Sequence, residues 1–134
     1  MPARGQLRPD ADWRTIAPPH FRVSERVRWE DVDLVGVVRY SAFTRLYDVA
    51  EAELWRAAGT NATDLIERLG IWLPRKVLHL EFHAPARFDA LIDVRIAVTA
   101  IGTSSLTLEG EMWSEDGATR HASYRVVLVC VDSL

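Results

Sequence analysis

Hydrophobic and polar residues alternate along residues 21–30, with Phe21, Val23, Val27 and Trp29 on one side and Arg22, Arg26 and Arg28 on the other. A period of two predicts a strand with one buried face. Residues 31–36 (DVDLVG) break the alternation with two aspartates and a glycine and predict a turn or loop. The period then lengthens. Phe43, Leu46, Tyr47, Ala50, Leu54 and Ala57 or Ala58 recur at helical spacing, which predicts a helix over residues 41–58. Ser41 is its expected N-cap and Gly59 its expected stop. Ala42, Val49, Ala52 and Trp55 widen the apolar face, so this helix should be wrapped by its surroundings. Residues 61–69 predict a short second helix capped by Asn61.

After Pro74 the period returns to two. Residues 76–84, 92–101, 104–114 and 118–131 are four strand candidates, separated by turn signals at 85–89, Gly102 and 116–117. A strand, a long buried helix and then four antiparallel strands predict an α+β plan, one curled sheet packed around one helix. The last strand, ending RVVLVCVD, is nearly all apolar and is expected to sit centrally with both faces covered. Pro2, Pro9, Pro18 and Pro19 fall among the first 19 residues. Proline fixes φ and removes a donor. Residues 1–20 are therefore expected to form a flexible extension, packed locally at most through Trp13, ahead of a domain over 21–134.

Composition narrows the function. A chain of 134 residues fits one domain with a real core. A hydrophobic share of 49% with 26% charged residues excludes a disordered chain. The net charge of −3 argues against a nucleic-acid partner. No apolar run reaches the roughly 18 residues that cross a bilayer, so no membrane partner is expected. The single Cys130 allows no internal disulfide and no zinc site of its own. A soluble, cytoplasmic protein is the expectation. The basic residues are 15 arginines and one lysine, Lys76, which reads as coding bias rather than chemistry.

The segment 27–59, VRWEDVDLVGVVRYSAFTRLYDVAEAELWRAAG, resembles the 4-hydroxybenzoyl-CoA thioesterase family of hotdog-fold proteins. The shared pattern is a first strand, D-x-D-x-x-G, an aromatic-rich turn and a long helix ending in glycine. Asp31, Asp33, Gly36, Tyr40, Phe43, Asp48 and Gly59 carry it here. The PARFDALIDV turn and the later strands fit the same fold, so the resemblance covers roughly residues 21–132. It implies a hotdog fold, a curved five-stranded antiparallel sheet wrapped around a central helix. It also implies a homodimer joined edge to edge, or a homotetramer built from such dimers. The active site would lie at the subunit interface, with Asp33 of one chain facing the helix start of the other. No cofactor and no metal are implied.

By that resemblance Asp33 is the catalytic carboxylate and the backbone N–H of Tyr40 the oxyanion donor. The chemistry is reasonable in itself. A thiol has a pKa of about 8.5 and leaves readily without a strong base. An ionised carboxylate can attack the thioester carbonyl to give an anhydride, or polarise a water molecule as a base. The residue pattern leaves both routes open. A helix N-terminus offers unpaired N–H groups to a developing oxyanion. Asp31 reads as a residue shaping the loop. Gly36, Val38, Arg39, Phe43, Arg45 and Asp48 are the expected substrate contacts. Arg39 departs from the family, which commonly has an aromatic there.

Arg45 also resembles the arginine of hotdog thioesterases in enediyne polyketide pathways, which helps to hold a β-ketoacyl chain; those proteins carry Asn where Asp33 stands. The other reading of Arg45 is an ion pair with Asp48 at i+3. Asp48 and Glu51 are rival carboxylates on the helix, Asp48 expected to bond backbone or a partner's arginine and Glu51 to lie on an exposed face. His79 and His83, four apart on a strand, project about 13 Å apart, cannot share an ion and read as structural. Cys130 reads as an inert core residue. Neither a Gly-rich phosphate loop nor a G-x-S-x-G nucleophile motif occurs.

The expected function is hydrolysis of an acyl-CoA thioester. Family members that take CoA gather basic residues near the third strand, and the matching stretch, TAIGTSSLT, has none. Arg75, Lys76, Arg87 and Arg120 are the remaining candidates for phosphate contacts, and each reads first as a generic surface charge. An acyl carrier protein would need fewer of them, so a polyketide-pathway thioesterase acting on a carrier-bound β-ketoacyl chain is the first alternative. A non-catalytic acyl-CoA-binding hotdog protein is the second.

Overall fold

The structure is a computed structural model that describes residues 20–133. The proline-rich extension expected over 1–20, Trp13 included, lies outside the described residues except for His20. Seven strands and two helices follow in the order β1 (Phe21–Arg26), α1 (Phe43–Ala57), α2 (Ala62–Leu69), β2 (Ile71–Trp72), β3 (Arg75–Phe82), β4 (Leu91–Ile101), β5 (Ser105–Ser114), β6 (Arg120–Val129) and β7 (Val131–Asp132). Five of the strands form one sheet in the order β1-β4-β5-β6-β3, each neighbour antiparallel. This is the curled sheet and single long helix that the sequence pattern predicts.

The helix packs by its predicted stripe. Phe43, Leu46, Tyr47 and Ala50 are buried at i, i+3, i+4 and i+7. They join a core with Ile92, Val94 and Ile96 of β4, Leu108 and Met112 of β5, and Ala122, Tyr124, Val126 and Leu128 of β6. Each fully buried aliphatic side chain contributes about 1.5–3 kcal/mol relative to exposure. The Tyr47 and Tyr124 rings meet edge to face at 5.0 Å. Gly59 follows the last turn of α1 with φ +85°, the left-handed region that favours glycine. Asn61 caps α2, its side chain accepting the Asp64 N–H at 2.8 Å. Among the described residues no helix is long and apolar enough to cross a membrane.

Four local expectations need correction. β1 ends at Arg26, not at residue 30. The Asp31 carboxylate accepts the Arg28 N–H at 2.7 Å and winds Trp29–Asp31 into a 3-10 turn, which swings Trp29 out to 78% exposure. Ser41 is not an N-cap, because a 3-10 turn over Tyr40–Ala42 leads directly into α1 and the helix has no side-chain cap. The apolar last strand is interior and covered, as expected, but not the middle one: β6 pairs with β5 and β3 and has no exposed residue, while β5 holds the centre. Cys130 is exposed, not a core residue. The chain leaves β6 there, its N–H turning to the Ser104 carbonyl at 2.8 Å before β7 pairs with β2.

Candidate active site

The loop after β1 is built by its aspartates. Asp31 is buried to 1% exposure, and Arg45, in the first turn of α1, reaches back to it with Nε at 2.7 Å and Nη2 at 2.6 Å. Arg45 also meets Glu25 at 3.3 Å and the Arg26 carbonyl at 3.1 Å. Burial works to raise the Asp31 carboxyl, but the hydrogen bonds from Arg45 and the Arg28 N–H, with the charges of Arg45 and Arg39, hold it below the usual carboxylate range. The Arg45 guanidinium is therefore tied to the loop's base. Its i+3 pairing with Asp48 is not formed; the partner lies 14 residues upstream.

Two residues beyond Asp31 the loop turns outward. Asp33 is exposed in the single chain. Its Oδ1 accepts the N–H of Val35 at 2.9 Å and of Val37 at 3.3 Å. Its own N–H donates to the Val37 carbonyl at 2.9 Å, closing the loop. Its second carboxylate oxygen has no partner among the described residues. Gly36 sits in the turn with φ +81°, a conformation that a side chain would strain. The returning limb is pinned to the β3–β4 connection, where Val37 bridges Arg87 and the Val38 N–H donates to the Ala86 carbonyl at 2.8 Å.

At the start of α1 a cavity of about 320 Å³ opens. Val38, Tyr40, Phe43, Phe82, His83, Ala84 and Pro85 line it. Three expected substrate-site residues, Val38, Tyr40 and Phe43, thus come together. The Tyr40 N–H opens the 3-10 turn and has no acceptor among the described residues. It is one of the orphan donors that a helix start leaves over. Phe43 and Phe82 close the inner wall edge to face, with ring centroids 5.2 Å apart. His83 enters from the end of β3, and its Nε2 lies 2.6 Å from the Oγ of fully buried Ser123.

The remaining site residues lie elsewhere. Arg39 donates to the Glu30 carbonyl on the outer side of the loop. Asp48 lines a second, polar cleft of about 900 Å³ between the later turns of α1 and α2, together with Glu51, Trp55, Thr60, Asp64 and Glu67. Although Asp48 keeps a solvent-open surface, partial desolvation and the nearby Glu51 charge push its carboxyl up, with Arg75 opposing them. Glu51 is not on an exposed face. It is buried to 7% exposure, accepts the Tyr47 hydroxyl and pairs with Arg75 of β3. Among the described residues no group of three His, Cys, Asp or Glu side chains is arranged to hold a metal.

His83 was legible only as a structural histidine. Nothing in its local sequence couples it to position 40; the β3–β6 register and the loop's attachment to Ala86 do so. Trp29 and Phe88, whose rings meet at 5.6 Å on the outside of the loop, were equally hidden.

The comparisons with known proteins agree with the fold and sharpen it. Residues 27–134 match the model of the thioesterase-like superfamily. The acyl-CoA thioester hydrolase YbgC of Shigella flexneri is 28% identical over 114 residues, 85% of this chain and 84% of that protein. The same hydrolase of Escherichia coli matches equally. Among solved structures, Slr0204, a 1,4-dihydroxy-2-naphthoyl-CoA thioesterase from Synechocystis, superposes with a TM-score of 0.79 at 20% identity, covering 84% of this chain and 82% of that one. A probable thioesterase from Bartonella henselae superposes with a TM-score of 0.78 at 18% identity, covering 84% and 92%. At these identities the structures speak for the hotdog fold alone, and it is the family match, spanning the aspartate loop, α1 and all of the sheet except β1, that places the protein: the chain belongs to the thioesterase-like superfamily.

Proposed function

We propose that this protein hydrolyses acyl-CoA thioesters, with the scissile carbonyl held at the start of α1 and Asp33 supplying the carboxylate. The observation that carries the reading is the cavity in which an unpaired helix-start N–H, that of Tyr40, meets the apolar side chains of Val38 and Phe43 beside the aspartate loop. Membership of the thioesterase-like superfamily and the similarity to the YbgC acyl-CoA thioester hydrolases support the reaction class.

The chemistry follows from charge. Addition to a thioester carbonyl moves a charge onto oxygen, and a donor already oriented at a helix N-terminus stabilises it without reorganisation. The free Asp33 oxygen either adds to the carbon or takes a proton from the water that adds. Expulsion of the thiolate completes the water route; on the other it leaves a mixed anhydride on Asp33, which water then hydrolyses to release the acid and restore the carboxylate. No cofactor or metal takes part in this scheme. CoA and a chain with one cysteine fit a cytoplasmic setting.

The working unit in this reading is a homodimer. β3 is an edge of the sheet and carries exposed Val77, Leu78 and Phe82. An open edge bearing apolar side chains is a template for pairing with a second copy. Leu34 and Val35, also exposed, follow Asp33 directly. A partner lying across them would enclose an aspartate that one chain leaves open to solvent.

The polyketide alternative leans on Arg45, and its commitment to Asp31 and Glu25 weighs against a role in holding a β-ketoacyl chain. Release of free thiol from a panel of aliphatic and aromatic acyl-CoA esters tests the proposal, with the same acyl groups on a carrier protein as a second arm. Hydrolysis of at least one acyl-CoA is expected. Turnover on carrier-bound substrates alone would select the alternative, and binding without thiol release would make the protein a sensor.

A further inference from the structure

An oxyanion accepts more than one hydrogen bond, and sites that stabilise one present paired donors. The cavity at the start of α1 has one backbone donor, the Tyr40 N–H. Its lining is otherwise apolar apart from two side chains, those of Tyr40 and His83. The imidazole of His83 is held in place. Its Nε2 lies 2.6 Å from the Ser123 hydroxyl, and Ser123 is fully buried on β6. The backbone beside it is fixed as well, the His83 N–H donating to the His121 carbonyl at 2.8 Å. A neutral imidazole carries one donor and one acceptor. A serine hydroxyl donates or accepts equally well, so the contact fixes where the ring points, and it leaves Nδ1 without a partner among the described residues.

We propose that His83, with its ring proton on Nδ1, is a second donor to the thioester oxygen, acting beside the Tyr40 N–H, and that Ser123 is the positioning residue that holds its ring. The inference rests on the acyl-thioester hydrolase reading above. When an oxygen nucleophile bonds to the carbonyl carbon, the π pair moves onto the carbonyl oxygen. The two N–H groups donate to that oxygen and neither gives up its proton. The pair returns to the carbon as the C–S bond breaks, and the thiolate leaves with the electrons of that bond. These movements are common to both nucleophiles: when water adds, Asp33 takes its proton, and when Asp33 adds, water afterwards hydrolyses the mixed anhydride.

Steady-state kinetics on the best acyl-CoA substrate test it. His83→Phe keeps a flat ring of similar size and removes the donor. It should lower kcat by about 10²–10³-fold, the range for deleting one oxyanion donor. KM should stay within about threefold, because the lost bond strengthens only in the transition state. His83→Asn returns an N–H near the place of Nδ1 and should recover roughly tenfold of that loss. Ser123→Ala frees the ring and should cost roughly tenfold in kcat at unchanged KM.

A kcat for His83→Phe within about twofold of wild type, a loss confined to KM, or an Asn variant no better than Phe would each overturn the assignment. If His83→Phe does not fold, Ser123→Ala decides: the tenfold kcat loss supports the assignment and wild-type kcat overturns it. A wild-type protein inert on every thioester would defeat the hydrolase reading and this inference together. An active wild type with unaffected variants would defeat the role of His83 alone.

Discussion

Arg45 on α1 grips both oxygens of the buried Asp31 carboxylate, at 2.7 and 2.6 Å, and so clamps the base of the aspartate loop to the helix whose start forms the cavity. A bidentate guanidinium–carboxylate pair fixes direction as well as distance. The loop that carries Asp33 thus has a rigid root and a free tip.

Removing one member of that pair should cost stability. Asp31→Asn is expected to destabilise the fold by roughly 2–3 kcal/mol, at or below the low end for breaking a buried ion pair from one side. The Arg45 side chain keeps 30% exposure, and solvent screens part of the interaction. Denaturant unfolding at neutral pH measures the difference.

The same pair gives the fold a pH signature. The folded-state Asp31 carboxyl is held below its ordinary value, so its contribution is present at neutral pH and is lost as acid protonates it. Asp93 behaves alike: burial opposes, but Arg22 and Arg95 hold its carboxyl down. Thermal stability should therefore fall as pH drops below about 4, the ordinary aspartate value. The fall should be shallower in Asp31→Asn, though not abolished while Asp93 remains. Scanning calorimetry from neutral to acid pH reads both slopes.

Gly110 in the middle of β5 is a packing requirement. A Cβ built there would lie 2.1 Å from the Arg95 carbonyl oxygen and 2.1 Å from the Tyr124 hydroxyl. Those two groups are hydrogen-bonded to each other at 2.5 Å across the sheet. Gly110→Ala must displace a fully buried tyrosine. It is expected to cost about 3 kcal/mol or more, the upper end for overpacking. Loss of soluble folded protein, or a matching fall in unfolding free energy, would show it.

The β3 edge predicts an assembly. Leu78 is 51% exposed on an edge strand of the single chain. Leu78→Glu places like charges close together where two copies would meet. Sedimentation should find wild type as a dimer or larger and the variant shifted towards monomer, with thioesterase turnover falling in parallel. A wild type that sediments as a monomer would contradict the paired-edge arrangement.

Elements governed by local pattern were legible in the sequence. The apolar stripe of α1, the stop at Gly59, the Asn61 cap and the period-two strands each depend on residues close to one another along the chain. What escaped was set by contacts at long range. Trp29 leaves the strand because Asp31 turns the backbone, although the alternation continues through it. Glu51 looks like a surface glutamate until Arg75, 24 residues on, covers it. Two-residue strands such as β2 and β7 are too short to show a period. The aspartate loop could be singled out by its spacing and resemblance. The cavity's far wall from His83 to Pro85 could not, because only the sheet register brings it to the start of α1.

Asp33→Asn is the most direct test of the proposed chemistry. The amide keeps an Oδ1 able to accept the Val35 and Val37 N–H bonds, so the loop should hold its shape while the negative charge is lost. With folding unchanged by circular dichroism, kcat/KM on the best acyl-CoA substrate should fall by roughly 10²–10⁴-fold, the range for losing a positioned acid or base. Wild-type turnover in a folded Asp33→Asn protein would contradict the assignment of this carboxylate.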